Sequence, residues 1–444
     1  MNDPNGFCVF NGAYHLFYQY NPVSSLEPGT ARWGHAISKD LFHWIDAGIA
    51  LQNDSSYDKD GVFSGSAWID SGVMNIFYTG HVKLPDQTPN QNETQELATS
   101  PDGEHFTKYE HNPIIIGKEL QPNIRDPKVW KKGDSWYMVL GNSFTGENNQ
   151  TLGRVLLFKS SDRINWDQVS ILVESDGYLG YMCECPDFFE LNGYHIVMMS
   201  PQGMKTEGDN FKNLYQTGYI VGHFSFKSYV FEPITQFREL DHGHDFYATQ
   251  TILDNNGRRL LVAWNDMWEN SYPEKQDGFT GQMTLVRSLS LTEDLRILQK
   301  PVKEVISARG KKLYDGKPCG ETIVTLSNKA GEVNIVASRT KDLILYIGTK
   351  TSSVQIKYEY RKGRLSLKRD DTDDGLRRTK YRPLGKLKMT LYIDASSIEI
   401  FCGEGEVTFS SRFFIDADIN VWLGEGSAVE QMTVYDMENT LYNS

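Results

Sequence analysis

One kind of segment recurs through the first three hundred residues at a nearly constant interval. Five aromatic or aliphatic runs each follow a turn: NGAYHLFYQ, SGVMNIFYTG, KGDSWYMVLG, LNGYHIVMMS and NGRRLLVAWND. With Phe17, Phe77, Met138, Val197 and Val262 as equivalents, the steps are 60, 61, 59 and 65 residues. A second marker keeps the same interval: SKDLFHW from Ser38, SPDGEHF from Ser100 and SSDRINW from Ser160. A fixed period means one supersecondary unit used repeatedly. Each unit holds about four short β-rich runs separated by turn residues. Four-stranded units at this scale are propeller blades, and five repeats predict a five-bladed β-propeller. An array of sandwiches would need two markers to share one period by chance.

From about residue 305 the interval is lost. The tail carries long alternating runs such as DLILYIGTK, SVQIKYEY and KLKMTLYIDASSIEIFCG, with no helical period. These predict a C-terminal antiparallel β-sandwich. The chain is therefore expected to be all-β, with a propeller over residues 1–304 and a sandwich over 305–444. A length of 444 residues also favours two domains. The cations Arg377, Arg378, Lys380, Arg382, Lys386 and Lys388 read as a solvated sandwich edge. The sandwich is also a candidate surface for homo-oligomer formation.

A formal charge of −13 disfavours nucleic acid and anionic membrane as partners. No apolar run approaches the ~20 residues that span a bilayer, and no signal-peptide pattern is visible. The five cysteines are odd in number and scattered, which reads as reduced thiols in the cytoplasm. Cys183-Met-Cys185 is not spaced as a zinc site, so no metal is expected. The sequons at Asn92 and Asn149 are short enough to arise by chance.

The repeat gives the acids a common phase. Asp3 lies 14 residues before Phe17, Asp126 lies 12 before Met138, and Glu184 lies 13 before Val197. In the second unit the matching residue is Ser64, 13 before Phe77, and in the fifth it is Asp245, 17 before Val262. If the strand they open is innermost, three acids from three blades converge on the axis. Like charges are gathered in this way where they serve chemistry or a cation. No dense acidic loop of the calcium type surrounds them, so paired-carboxylate catalysis is the better reading. Tyr18, Trp33, Phe63, Tyr247 and Trp264 fall in adjacent segments and suit the C–H faces of a sugar. Asn2, Gln19, Arg125 and Asp245 are candidate partners for its hydroxyls.

These same residues carry a resemblance. MNDPNG, FYQYNP, WGHA, FSGS, RDP, ECPD, DFYA and, in the tail, SSIEIF and SRFF resemble glycoside hydrolase family 32, in the family's order. This is the family of invertases, sucrose-6-phosphate hydrolases and fructanases. The resemblance implies a five-bladed propeller with a β-sandwich, and a retaining β-fructofuranosidase acting on sucrose, sucrose-6-phosphate or short fructo-oligosaccharides. It implies no cofactor. It makes Asp3 the nucleophile, Glu184 the acid/base and Asp126 the transition-state stabiliser beside Arg125. Asn2, Gln19, Trp33, Phe63, Ser64, Tyr247 and Trp264 match positions lining the fructose pocket. Those roles require Asp3 to ionise and Glu184 to carry a proton. The family usually has an aromatic residue directly before the position of Met1; here the chain begins within that motif. Rival readings are a fructosyltransferase, an inverting arabinan-type hydrolase on the same scaffold, and a non-catalytic carbohydrate-binding propeller.

Overall fold

The computed structural model describes residues 1–25, 30–86, 90–117, 123–319, 322–370 and 372–438. The chain is all-β and divides into two compact units. The first holds residues 1–205, 214–239 and 247–283; the second holds 206–213, 240–246 and 284–444.

In the first unit the repeat becomes antiparallel sheets whose strands follow in chain order. Pro4–Phe10, Ala13–Tyr20, Arg32–Ser38 and Trp44–Leu51 form one. Gly61–Asp70, Ile124–Lys132 and Met182–Leu191 each lead a further sheet, and Tyr247–Leu253 leads a hairpin with Arg259–Trp264. The five markers all lie in the second strand of their group, and each is at most 1% exposed. The period is thus a packing period. Phe17 and Trp33 of the first sheet pack with Val62, Ile76 and Tyr78 of the second, and Phe77 packs with Val129 and Met138 of the third.

The second marker proves to be a turn. Ser38, Ser100 and Ser160 each end a third strand, and their Oγ atoms accept the backbone N–H of Leu41, Gly103 and Arg163. Asp40, Asp102 and Asp162 then accept two further backbone N–H groups each. Leu41, Gly103 and Arg163, fourth in each turn, have a positive φ. Side-chain oxygens replace missing ladder bonds there, as Ser and Asp do in turns.

The leading strands neighbour one another in sequence. Pro4–Phe10 touches Gly61–Asp70, which touches Ile124–Lys132, which touches Met182–Leu191; Tyr247–Leu253 touches both Met182–Leu191 and Pro4–Phe10. Close approach depends on glycine at Gly141, where a Cβ would stand 2.0 Å from the Cys183 carbonyl oxygen. Backbone cannot yield there. Gly141→Ala is therefore expected to cost about 1–3 kcal/mol in chemical denaturation. Gly385→Ala, with nothing near its Cβ, is expected to stay within about 0.5 kcal/mol of the parent.

The second unit contains two six-stranded antiparallel sheets. One runs Arg309–Gly316, Val429–Met437, Gly331–Ala337, Leu387–Asp394, Ser397–Cys402, Val407–Arg412; the other runs Ile323–Leu326, Ile419–Leu423, Leu343–Gly348, Ser353–Glu359, Arg364–Lys368, Leu376–Lys380. Alternate residues of both sheets, among them Val333, Leu345, Ile356 and Leu391, form one apolar core. The tail motifs serve this unit. Glu399 of SSIEIF and Ser410 just before SRFF both accept from Arg287, which is fully buried and also donates to Asp241 at 3.0 Å. Both terminal nitrogens of this buried guanidinium meet carboxylates and hydroxyls, which offsets its desolvation, while its Nε has no partner among the described residues.

The basic edge is less solvated than expected. Arg377 is buried, donating to Asp374 and Asn213, and Arg378 pairs with Asp209. Residues 206–213 supply partners that the local sequence around Arg377 could not reveal.

Candidate active site

Each leading strand carries one extra residue relative to its partner strand. The register slips between Asn5 and Cys8, Phe63 and Gly65, Arg125 and Lys128, Glu184 and Asp187, and Tyr247 and Gln250. These are β-bulges, which re-aim side chains and end regular pairing. Two of them hold a proline, Pro127 and Pro186, which has no N–H to give a ladder. Asp126, Cys185 and Ala248 take φ values of 65°, 45° and 52°. Non-glycine residues in that region cost about 1–3 kcal/mol each and cluster where function requires it.

Three acids come together, Asp126 and Glu184 at bulges and Asp3 directly before the first strand. Asp3 is 9% exposed; its Oδ2 accepts from Ser64 Oγ at 2.8 Å and its Oδ1 from Asn2 Nδ2 at 3.1 Å. Asp126 accepts the Cys185 backbone N–H at 2.9 Å, and the Cys185 thiol lies 3.6 Å from Asp3 and 3.7 Å from Asp126. Glu184 is gripped by four donors. Arg125 Nε and Nη2 reach its Oε1 at 3.0 and 2.7 Å, while Gln202 Nε2 and the Tyr247 hydroxyl reach Oε2 at 2.9 and 2.6 Å.

Sequence-selected residues divide by what they touch. Asn2, Ser64, Arg125 and Tyr247 hold the acids directly. Gln19 is buried, exchanges backbone hydrogen bonds with Asn2 and Asp3, and donates its side chain to the Val62 carbonyl. Trp33 is fully buried and donates its indole N–H to the Phe63 carbonyl, so it braces the strand that carries Ser64. Phe63 stacks on His81 with centroids 4.2 Å apart. Trp264 pairs with Tyr247 across the hairpin and packs edge-on against half-exposed Trp268. Asp245 does not join them. It belongs to the second unit, where Arg369 and the Arg412 backbone N–H hold its carboxylate. Its spacing of 17 residues places it outside the strand that begins at Tyr247.

Sequence reading missed three supporting residues. Gln202 holds Glu184. Buried Glu93, inside one of the discounted sequons, lies 3.3 Å from Arg125, and Thr79 Oγ1 accepts the Asp126 backbone N–H. Gln202 and Thr79 sit on second strands and Glu93 on a third, where the repeat phase carries no polar marker. Among the described residues, no group of three or more His, Cys, Asp or Glu side chains is disposed to hold a metal ion.

Electrostatics follow from three acids and one guanidinium in a buried site. Burial raises Asp3 most, with the nearby Glu184 charge adding to it and the Ser64 and Asn2 hydrogen bonds opposing. Burial, then Glu184, pushes Asp126 up to about 8, against Arg125 and the Cys185 N–H. The same pair of causes raises the Tyr247 hydroxyl. These hydrogen bonds do not keep Asp3 low; desolvation dominates. Unfolded aspartates ionise near 3.9, whereas folded Asp126 keeps its proton to about 8. Folding then takes up protons, and stability falls as pH rises through that window. Asp126→Asn is accordingly expected to raise the melting temperature near pH 8, with the gain shrinking toward pH 4. Thermal denaturation across that range reads the sign.

With the geometry in place, comparisons decide the family. The model described as Glycosyl hydrolases family 32 N-terminal domain matches residues 1–301, and that described as Glycosyl hydrolases family 32 C terminal matches residues 299–436. The chain belongs to glycoside hydrolase family 32. A sucrose-6-phosphate hydrolase of Zymomonas mobilis is 37% identical over 468 residues, covering 98% of this chain and 88% of that protein. A raffinose invertase of Escherichia coli is 37% identical over 440 residues, covering 97% and 90%. Among family 32 structures, a Bombyx mori beta-fructofuranosidase superposes with a TM-score of 0.92 at 38% identity, covering 100% of this chain and 92% of that one. A mutant of the Bombyx enzyme has been solved in complex with sucrose. No helix of the described residues is long and apolar enough to cross a membrane.

Proposed function

We propose that this family 32 glycoside hydrolase cleaves terminal β-D-fructofuranosides with retention, through a fructosyl group held covalently on Asp3. The observation that carries the reading is the convergence of Asp3, Asp126 and Glu184 at bulges or strand starts, with Glu184 in the grip of Arg125, Gln202 and Tyr247. In the first step an Asp3 oxygen attacks the anomeric carbon while Glu184 gives its proton to the departing oxygen. In the second, Glu184 removes a proton from water, whose oxygen attacks the same carbon and frees Asp3. Asp126 and Arg125 hold the fructosyl hydroxyls, and Asn2, Phe63 and Trp264 line the ring.

The proton that Glu184 must deliver has a source. Asp3 and Asp126 are both held toward the protonated form by burial and by the charge on Glu184. Protons in such a cluster belong to the cluster. The first step needs one proton of this cluster on Glu184 and Asp3 ionised.

In this reading the architecture is a five-bladed propeller over 1–304 and a β-sandwich over 305–444. The cyclic contacts of the leading strands and the two family 32 domain matches support it. Sucrose, sucrose-6-phosphate and short fructo-oligosaccharides are the proposed substrates; the relatives are named for sucrose-6-phosphate and raffinose. Fructose release from each, by this chain and by Glu184→Ala, tests the activity. Turnover lost in the variant is expected; equal turnover in both would overturn the proposal. Proton NMR in the first minutes should find the β-anomer of fructose first, and the α-anomer would mark an inverting enzyme.

A further inference from the structure

At their other ends the five leading strands line a second cavity, of about 570 Å³, within the range of roughly 300–1,000 Å³ for small-molecule sites. Residues 7–9, 67–69, 128–132, 187–190 and 251–253 contribute to it, and Asp3, Asp126 and Glu184 do not. Buried Asn5 and Gln250 lie between the two sites, both hydrogen-bonded to Gly65.

The charges in this cavity do not balance. Lys128 Nζ stands 3.1 Å from Asp187 Oδ2 and donates to the Thr251 carbonyl at 2.5 Å. Arg259 lies over the Phe189 ring at 4.6 Å and donates to Thr251 Oγ1, with no carboxylate in ion-pair distance among the described residues. Two largely buried cations thus share one carboxylate. Burial pushes both down from their ordinary values, and Asp187 only partly opposes it. Among the described residues, Arg259 Nε, Asp187 Oδ1 and His195 Nδ1 are all buried without a partner at this one place. Exposed Lys132 adds a further cation, 3.8 Å above the Phe226 ring, with no carboxylate in ion-pair distance among the described residues, while exposed Glu190 is the one other carboxylate among the lining residues. Opposite the charges the walls are apolar, with Trp130 packed on Phe188. A buried excess of positive charge is stabilised by a negative group, and aromatic walls favour a ligand with an apolar or ring-shaped body.

We propose that this cavity is a second ligand site, for a small organic anion. Its carboxylate or phosphate pairs with Arg259 and Lys132, and its apolar body rests on Trp130, Phe188 and Phe226.

Calorimetric titration of the full chain with phenyl phosphate, phenylacetate and inorganic phosphate tests this, the first two arms separating phosphate from carboxylate. Saturable one-to-one binding of at least one aryl anion is expected in the millimolar range or tighter. Inorganic phosphate should bind more weakly for want of an apolar body. Arg259→Gln should weaken the aryl anion at least about tenfold, and Lys132→Gln, a surface change that cannot unfold the chain, should weaken it measurably. Sucrose turnover should be unchanged in both variants. Three results would overturn the proposal: no saturable binding, binding indifferent to both substitutions, or binding abolished by Asp3→Asn, which would place the probe among the catalytic acids.

Discussion

Asp3→Asn is expected to lower kcat for sucrose by at least about 10⁴-fold, because the amide cannot form the fructosyl ester. The substitution removes one oxygen's charge and keeps the shape. Ser64 and Asn2 retain something to hydrogen-bond. Burial and Glu184 disfavour the ionised form of Asp3 in the folded chain, so the variant should melt at a higher temperature near neutral pH. Loss of activity together with gain of stability is the signature of a strained catalytic acid. A merely structural aspartate would show the reverse, a lower melting temperature with activity falling only in proportion to the unfolded fraction.

Glu184→Ala should separate the two steps. Turnover of sucrose is expected to fall about 10²–10⁴-fold, the usual worth of a positioned acid/base. A fructoside whose leaving group needs no proton should still transfer its sugar to Asp3 at close to the parent rate, and then stall for want of a base. Azide, which needs no deprotonation, should restore turnover by attacking the anomeric carbon and displacing Asp3, giving fructosyl azide. Stopped-flow release of the leaving group reads the burst. Rates that fall equally for good and poor leaving groups, with no azide rescue, would remove Glu184 from the acid/base role.

How far the sequence spoke for itself can be judged residue by residue. The repeat was legible because Phe17, Phe77, Met138, Val197 and Val262 must all be buried at the same point of a recurring unit. The acids were legible through their phase to those markers. The bulges were not, since one extra residue leaves hydrophobic alternation almost unchanged, and only Pro127 and Pro186 hint at them. Asp245 misled because its neighbour Tyr247 does open a strand, while the aspartate itself turns to Arg369, more than a hundred residues away. Trp33 was singled out as a pocket-lining residue, yet its ring is wholly buried and its indole N–H donates to the Phe63 carbonyl. Gln202 and Glu93 were invisible for a simple reason: the groups they hold, Glu184 and Arg125, are assigned only once strands from different repeats are placed side by side.

The central claim is a covalent intermediate on Asp3, and the most direct measurement is to trap it. Glu184→Ala would be mixed with an activated β-fructofuranoside, quenched in acid, digested and mapped by mass spectrometry. One fructosyl group on the N-terminal peptide, at Asp3, is the predicted result. Turnover of the substrate with no adduct, or an adduct on another carboxylate, would contradict it.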